Sequence, residues 1–309
     1  MELTKPLPPI FVLGSARSGT TILARLLRTT PWGEPFETHF IPKYHRLLPR
    51  FGDLNDRRSF VRLVSAILAE RPIAQRRLHV DPAALFDALT VRDYAHIVDA
   101  IGMAYARSQG QASWGDKTPD YVAHVDLLHA LFPDSRMLFI ARDGRDVALS
   151  LLQKSWGPAN VFSCARQWRR ENEPQPWRET LRRRGQLLEV RYEHLLAEPE
   201  ATLATVMAFL DQQPSPAALR ELTSDVRRGN SQKWKREMTA AQIAVFEREA
   251  GDTLRRLGYE AQHEPRPPGF VRVFGYLAHN RLKRWRHLFN ANVVDTIRIR
   301  VFGKEPFAE

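Results

Sequence analysis

The sequence predicts an α/β protein of three layers, a central parallel sheet covered by helices on both faces. Three observations carry this: short continuous apolar runs, helical spacing directly after each run, and repeated alternation of the two along the chain. Residues 9–14, PIFVLG, form the first run and end in glycine, as a strand buried on both faces does. Ile22, Leu23, Leu26 and Leu27 follow at helical spacing, so strand, glycine loop and helix come in succession. Met137 to Ala141 form the second run, followed by RDGRD and the helical series Val147, Leu151, Leu152. Leu187 to Val190 form the third and lead into RYEHLL. Further helices are expected around 57–70, 91–108, 120–131, 159–184, 199–211 and 239–257. In such sheets ligands bind beyond the carboxyl ends of the strands, where RSGTT and RDGRD fall.

The 309 residues suffice for one large domain burying roughly three quarters of its unfolded surface. A composition of 43% hydrophobic and 26% charged residues is that of an ordinary globular protein. The single cysteine, Cys164, excludes an intramolecular disulfide and a cysteine-rich metal site. MELTKPLPPIF has no basic start before an apolar run, and no stretch approaches the ~20 apolar residues of a membrane span, so a cytoplasmic location is expected. A net charge of +11 favours anionic partners. Without zinc-finger spacing or an RNP-type aromatic motif, nucleic acid is not the expected one.

Residues 14–21, GSARSGTT, place Gly14 and Gly19 at the spacing of a nucleotide phosphate loop, but Thr20 stands where that loop carries lysine. Glycines let the backbone approach a ligand closely, and successive N–H groups opening a helix make an anion nest. Thr20 and Thr21 add hydroxyls, and Arg17 adds a fixed cationic fork. The missing lysine and the lack of an evident Walker B aspartate argue against a metal-dependent NTPase. A plain glycine turn beside an exposed arginine is the alternative.

RSGTT after one buried strand, RDGRD after another, and GDKTP between them resemble the PAPS-dependent sulfotransferases, whose donor is 3'-phosphoadenosine 5'-phosphosulfate (PAPS). The resemblance runs from about residue 9 to 259 and implies the P-loop nucleotide-binding fold of that family, with PAP as product and no metal. It implies that Arg17, Ser18, Gly19, Thr20 and Thr21 hold the 5'-phosphosulfate, and that Arg142 and Ser150 take the 3'-phosphate. Lys154 occupies the position of a further basic residue in the tyrosylprotein branch, and Ser150 and Lys154 at i, i+4 are expected on one helix face. Alternatively, RDGRD is a salt-bridged helix cap, with Asp143 as the cap and Arg145 in solvent. RRGNSQKWK, residues 227–235, is similar to the segment with which cytosolic members close over the nucleotide. This implicates Arg227, Arg228 and Gly229, with Ser231 the rival by analogy to the tyrosylprotein branch. Tyr192 matches a tyrosine near the nucleotide, or is an aromatic at the edge of the core.

Sulfuryl transfer to a hydroxyl needs a base for the acceptor proton and positive charge on the transferring group. ETHFIP at 37–42 resembles the ETRVIP segment of tyrosylprotein sulfotransferases, and GEPFE resembles the GEPxE of bacterial glycolipid sulfotransferases. Both select Glu37 as the base, with Glu34 and His39 as second choices. Nearby cations would lower the Glu37 pKa and burial would raise it. Lys117 of GDKTP is the expected electrostatic partner of the transferring group, unless it is consumed in an ion pair with Asp116 or Asp120. Cytosolic members carry K-T-H in a comparable segment; here the third residue is Pro119, which cannot take a proton. His124 and His129 lie five apart, off a common helix face, and make no metal pattern.

The expected organisation is a sulfotransferase domain over residues 1–263 and a basic amphipathic extension over 264–309, packed on or next to it. Phe270, Val273, Phe274, Leu277, Trp285, Leu288 and Phe289 accompany RLKRWRH at 281–287. The apolar side of such a helix is expected to pack on its own domain; contact with an anionic membrane surface is the alternative. The acceptor is expected to be a small molecule, glycoconjugate or lipid. Two other function classes remain at this stage: a P-loop small-molecule kinase or NTPase, and a non-catalytic anion- or membrane-binding protein on the same fold.

Overall fold

The computed structural model describes residues 7–227, 229–264, 266 and 269–289. Arg228 and residues 290–309, which include part of the expected C-terminal extension, lie outside the described residues. Residues 7–14, 19–140 and 175–226 form one compact unit; residues 15–18, 141–174 and those described from 227 onward form a second.

The first unit is built on strands β1 (Ile10–Leu13), β2 (Gly115–Asp116), β3 (Arg136–Ala141) and β4 (Leu187–Arg191), in the order β2-β1-β3-β4. β1 pairs in parallel with both β2 and β3, with Phe11 opposite Asp116 on one side and Met137 on the other. The sheet is parallel with flanking helices, as predicted. Alternation along the strands divides the core. Ile10, Val12, Leu138 and Ile140 pack with Leu23 and Leu26 of helix Thr20–Leu26, with its C-cap Leu27, and with helices Tyr192–Ala197 and Pro199–Phe209. On the opposite parity, Phe11 meets Trp114 and Phe132, and Phe139 meets Trp177. Each such side chain contributes roughly 1.5–3 kcal/mol through burial, so the parity of the strands sets their register.

The expected helix over 159–184 is two helices, Val161–Asn172 and Pro176–Arg183. Glu173 turns extended between them because it precedes Pro174, which disfavours the helical region. Sequence periodicity also missed β2. Two residues are too few to show a pattern, yet this strand carries the GDKTP segment to the edge of the sheet.

In the second unit, helices Gly144–Leu152, Val161–Asn172 and Ala240–Arg256 pack around Trp168, Phe246 and Leu254. Trp168 and Phe246 lie where a Cβ at Gly144 would sit, within 2.5 Å, so only glycine lets this helix start so close to them. Helix Phe270–Phe289 belongs to the same unit and corrects the expected orientation of the tail. Its inward face is polar and aromatic: Tyr276 stacks on Phe162, Asn280 accepts from the Ala159 amide, and Lys283 donates to the carbonyls of Lys154 and Pro158. The apolar residues Phe270, Phe274, Leu277 and Trp285 face solvent. The polar side packs inward because the carbonyls of half-buried Lys154 and buried Pro158 need donors, which the apolar stripe cannot supply. Among the described residues, no helix is long and apolar enough to cross a membrane.

Candidate active site

In the first unit, residues 36–39 run alongside β2. Phe36 bridges Asp116 in parallel, and the Lys117 amide donates to the Phe36 carbonyl at 2.9 Å. The Thr38 hydroxyl donates to Asp116 and lies 2.8 Å from the Tyr121 hydroxyl, while the Thr38 amide donates to Thr118 Oγ1. Tyr121 in turn accepts from the Ile41 amide. Burial pushes the Asp116 carboxyl up to about 6, against the hydrogen bond from Thr38. This buried polar clamp turns Thr38 inward and leaves its neighbours Glu37 and His39 on the opposite side of the extended chain. None of the partners is adjacent in sequence, so the clamp escaped sequence reasoning.

Glu37 sits at the centre of the resulting cluster. One carboxylate oxygen accepts from Lys117 Nζ, and the other lies 2.9 Å from His39 Nε2. Lys117 Nζ also donates to Thr21 Oγ1 at 3.3 Å, which ties the cluster to the glycine loop. The lysine missing from the loop is thus matched by one arriving from the end of β2. Lys117 pairs with Glu37, not with the Asp116 or Asp120 weighed from the sequence. The His39 hydrogen bond foremost, then Lys117, holds the Glu37 carboxyl at about 2, outweighing burial. The same bond raises the His39 pKa above its ordinary value. His39 has φ of 57°, a left-handed conformation uncommon for a residue with a Cβ. Glu34 is exposed and makes no ion pair among the described residues.

The loop itself enters helix Thr20–Leu26 at Gly19, whose φ is 99° and which supplies no side-chain cap. The opening amides of the helix therefore remain available to a ligand. A Cβ at Gly19 would fall 2.4 Å from the Tyr192 ring, so the loop requires glycine there on both counts. Tyr192 is buried, packed in the core and against this glycine. Thr20 is buried and Thr21 exposed.

In the second unit, Arg17 takes φ of 71° and donates through Nε to Ser150 Oγ at 2.9 Å. The Ser18 hydroxyl is fully buried and has no hydrogen-bond partner among the described residues. Arg142 donates to the carbonyls of Arg17 and Asn230. It thereby links the loop to the segment after residue 226, and this contact of Asn230 was missed because it is made through a carbonyl. Asp146 also accepts from the Gln232 and Trp234 amides, at 2.7 and 2.9 Å, so this carboxylate anchors that segment. Arg227 and Gly229 are exposed and Ser231 is half-buried in it.

Two expectations here need correction. Lys154 is not on the helix with Ser150: Gly144–Leu152 ends first, and Lys154 lies in a bend. The turn is tight because Gly157 comes against the Leu151 carbonyl, where a Cβ would stand at 2.1 Å. Asp143 does cap the helix through the Arg145 amide, but Arg145 is not in solvent. It is buried, paired with Asp143 and Glu247, and stacked 3.6 Å from the Trp234 ring centre.

A family model described as "Sulfotransferase family" matches residues 8–216. The chain belongs to the sulfotransferase family. It is 27% identical over 298 residues to the nodulation protein NoeE of Sinorhizobium fredii, covering 82% of this chain and 67% of that protein. It is 24% identical over 219 residues to protein-tyrosine sulfotransferase 1 of Danio rerio, covering 67% and 54%. The chain spans between 30% and 67% of the length of the curated relatives it matches. Among solved structures it is similar to the sulfotransferase domain from the Synechococcus PCC 7002 olefin synthase, with a TM-score of 0.55 and 21% identity, covering 85% of this chain and 98% of that one. At that identity the likeness establishes the fold of this sulfotransferase and nothing finer.

Proposed function

We propose that this sulfotransferase moves a sulfuryl group from PAPS to a hydroxyl of its acceptor, with Glu37 as general base. The observation that carries the proposal is the Glu37–Lys117–Thr21 cluster: a carboxylate and a buried ammonium joined to a phosphate-type loop. The acceptor oxygen forms a bond to sulfur while the bond from sulfur to the bridging phosphate oxygen breaks. Its proton passes to Glu37, and the electron pair leaves on that phosphate oxygen as PAP departs. Lys117, Arg17 and the amides of the loop stabilise the charge gathering on the leaving oxygen, with the hydroxyls of Ser18, Thr20 and Thr21 as further donors. Arg142 and Ser150 hold the 3'-phosphate, Lys154 adds charge from its bend, Arg227 and Gly229 close over the nucleotide with Ser231 as the rival for that role, and Tyr192 backs the loop at Gly19. Support comes from the family membership, the unpartnered Ser18 hydroxyl and the uncapped helix start.

A carboxylate at about 2 is a weak base, so Glu37 acts only once the bound acceptor hydroxyl displaces one of its partners. His39 is the partner that titrates. Its pKa is raised, so it stays protonated and clamps Glu37 to a higher pH than an ordinary imidazole would, and it releases the carboxylate as pH rises through that pKa. We expect kcat/KM to climb with pH along a limb lying above 6.5, and that limb to vanish in His39→Gln. A pH–rate profile of both proteins checks this; an identical limb in the variant assigns it to another group.

The donor is tested by thermal melting with 3',5'-ADP, with ATP plus Mg²⁺, and with neither. A ligand at 100 times its Kd stabilises by ~2.7 kcal/mol, a shift of several degrees. We expect 3',5'-ADP to raise Tm and Arg142→Ala to lose most of that rise. No shift at millimolar 3',5'-ADP, or a shift with ATP and Mg²⁺ alone, overturns the PAPS assignment.

A further inference from the structure

We propose that the outward face of helix Phe270–Phe289 seats this protein on an anionic membrane surface. The helix has two faces with separate jobs. Tyr276, Asn280 and Lys283, spaced three and four apart, hold it to its own unit through a ring stack and hydrogen bonds. On roughly the opposite side, at 100° per residue, lie Phe270, Phe274, Leu277 and Trp285, a stripe running nearly the full 20 residues. Phe270 is 84%, Phe274 67% and Trp285 65% exposed. Val271, Leu282 and Phe289 widen the stripe, and Phe289 stacks on Trp285. Scattered exposed apolar residues need no explanation, but a continuous stripe on one helix does.

Charge selects the occupant. The helix contains Arg272, Arg281, Lys283, Arg284 and Arg286 and no acidic residue. Arg284 and Arg286 flank the stripe on its two sides, where a helix lying in a membrane interface carries its cations. Arg281 projects within the stripe and has the aliphatic length to raise its guanidinium to the headgroups. At the start of the helix, a cavity of about 610 Å³ is lined by Arg248, Arg266 and Arg272 together with Phe270, Val271 and Tyr276. Cations over an apolar floor suit a phosphate headgroup with its first acyl carbons. A second copy of this chain is a poorer occupant, since pairing this helix with itself would bring two sets of cations together without a carboxylate on either.

The test is co-sedimentation of the full chain with vesicles of phosphatidylcholine alone and with roughly 30% phosphatidylglycerol added. We expect binding to the anionic vesicles, about tenfold or more weaker binding to the neutral ones, and release on going from about 0.1 M to about 1 M salt. Phe274→Glu/Trp285→Glu should abolish binding while leaving the thermal melt and the 3',5'-ADP shift unchanged, because both side chains stand in solvent. Arg281→Gln/Arg284→Gln/Arg286→Gln should weaken anionic binding on the order of 100-fold. Equal affinity for both vesicles, no binding, or unchanged binding by the double variant overturns the proposal. Self-association that the double variant dissolves would assign the stripe to a second copy. Binding that appears only when the chain is ended at Phe289 would assign it to the chain's own residues 290–309.

Discussion

Glu37→Gln is expected to lower turnover by about 10²–10⁴-fold while donor affinity stays within a few-fold of the parent. The substitution keeps the shape of the side chain, and an amide oxygen still accepts from Lys117. What it removes is the carboxylate that takes the proton at this position. His39 loses with it the bond that raises its pKa, so residual turnover is expected to run through His39. In the proposed site donor binding rests on the loop and Arg142, neither of which contacts the Glu37 carboxyl among the described hydrogen bonds. Single-turnover rates and the dissociation constant of 3',5'-ADP, measured on the same preparation, separate the two effects. Glu34→Gln is the control and should turn over normally, because Glu34 is exposed and outside the cluster. Unchanged turnover in Glu37→Gln would remove it as base and promote His39.

Glu247→Ala is expected to destabilise the protein by on the order of 3–5 kcal/mol, the largest stability loss that one substitution at a buried ion pair brings here. Glu247 is fully buried and accepts from Arg145 Nη1 at 2.7 Å, from the amides of Gln262 and His263 at 2.9 Å each, and contacts His263 Nδ1. Removing it leaves a guanidinium that is 2% exposed with Asp143 as its one carboxylate partner among the described residues, and orphans two amides. Arg145 also stacks on Trp234, whose amide is anchored by Asp146, so the loss extends to the segment that borders the nucleotide in our proposal. Urea denaturation reads the cost. A change under about 1 kcal/mol would mean that water or Asp143 compensates Arg145 fully, against the burial seen.

Legibility differed between fold and site for physical reasons. β1 and β3 were readable because strands buried on both faces are almost continuously apolar, β4 because Leu187, Leu188 and Val190 still stand out on an edge strand whose Glu189 is exposed, and the glycine loop because its backbone tolerates no Cβ at Gly19. β2 was not, since its two residues gain their place from β1 and from Phe36. The single helix expected over 159–184 broke at a proline rule that was in plain view. At the candidate site, the family resemblance singled out Glu37, and GDKTP singled out Lys117, but their contact rests on the Thr38–Asp116–Tyr121 clamp, which joins residues 78 to 83 positions apart. Asn230 left no trace because it acts through a carbonyl that every residue has.

The sequence by itself determined the parallel α/β architecture, the glycine loop without its lysine, and a basic chain bearing an amphipathic C-terminal helix. These depend on local periodicity, backbone sterics and charge, which are written residue by residue. Only the tertiary structure decided that Lys117 meets Glu37, that Arg145 is buried, and that the terminal helix turns its apolar stripe outward. Those outcomes follow from which polar groups must find partners once the chain is compact, and the partners come from segments far apart in sequence.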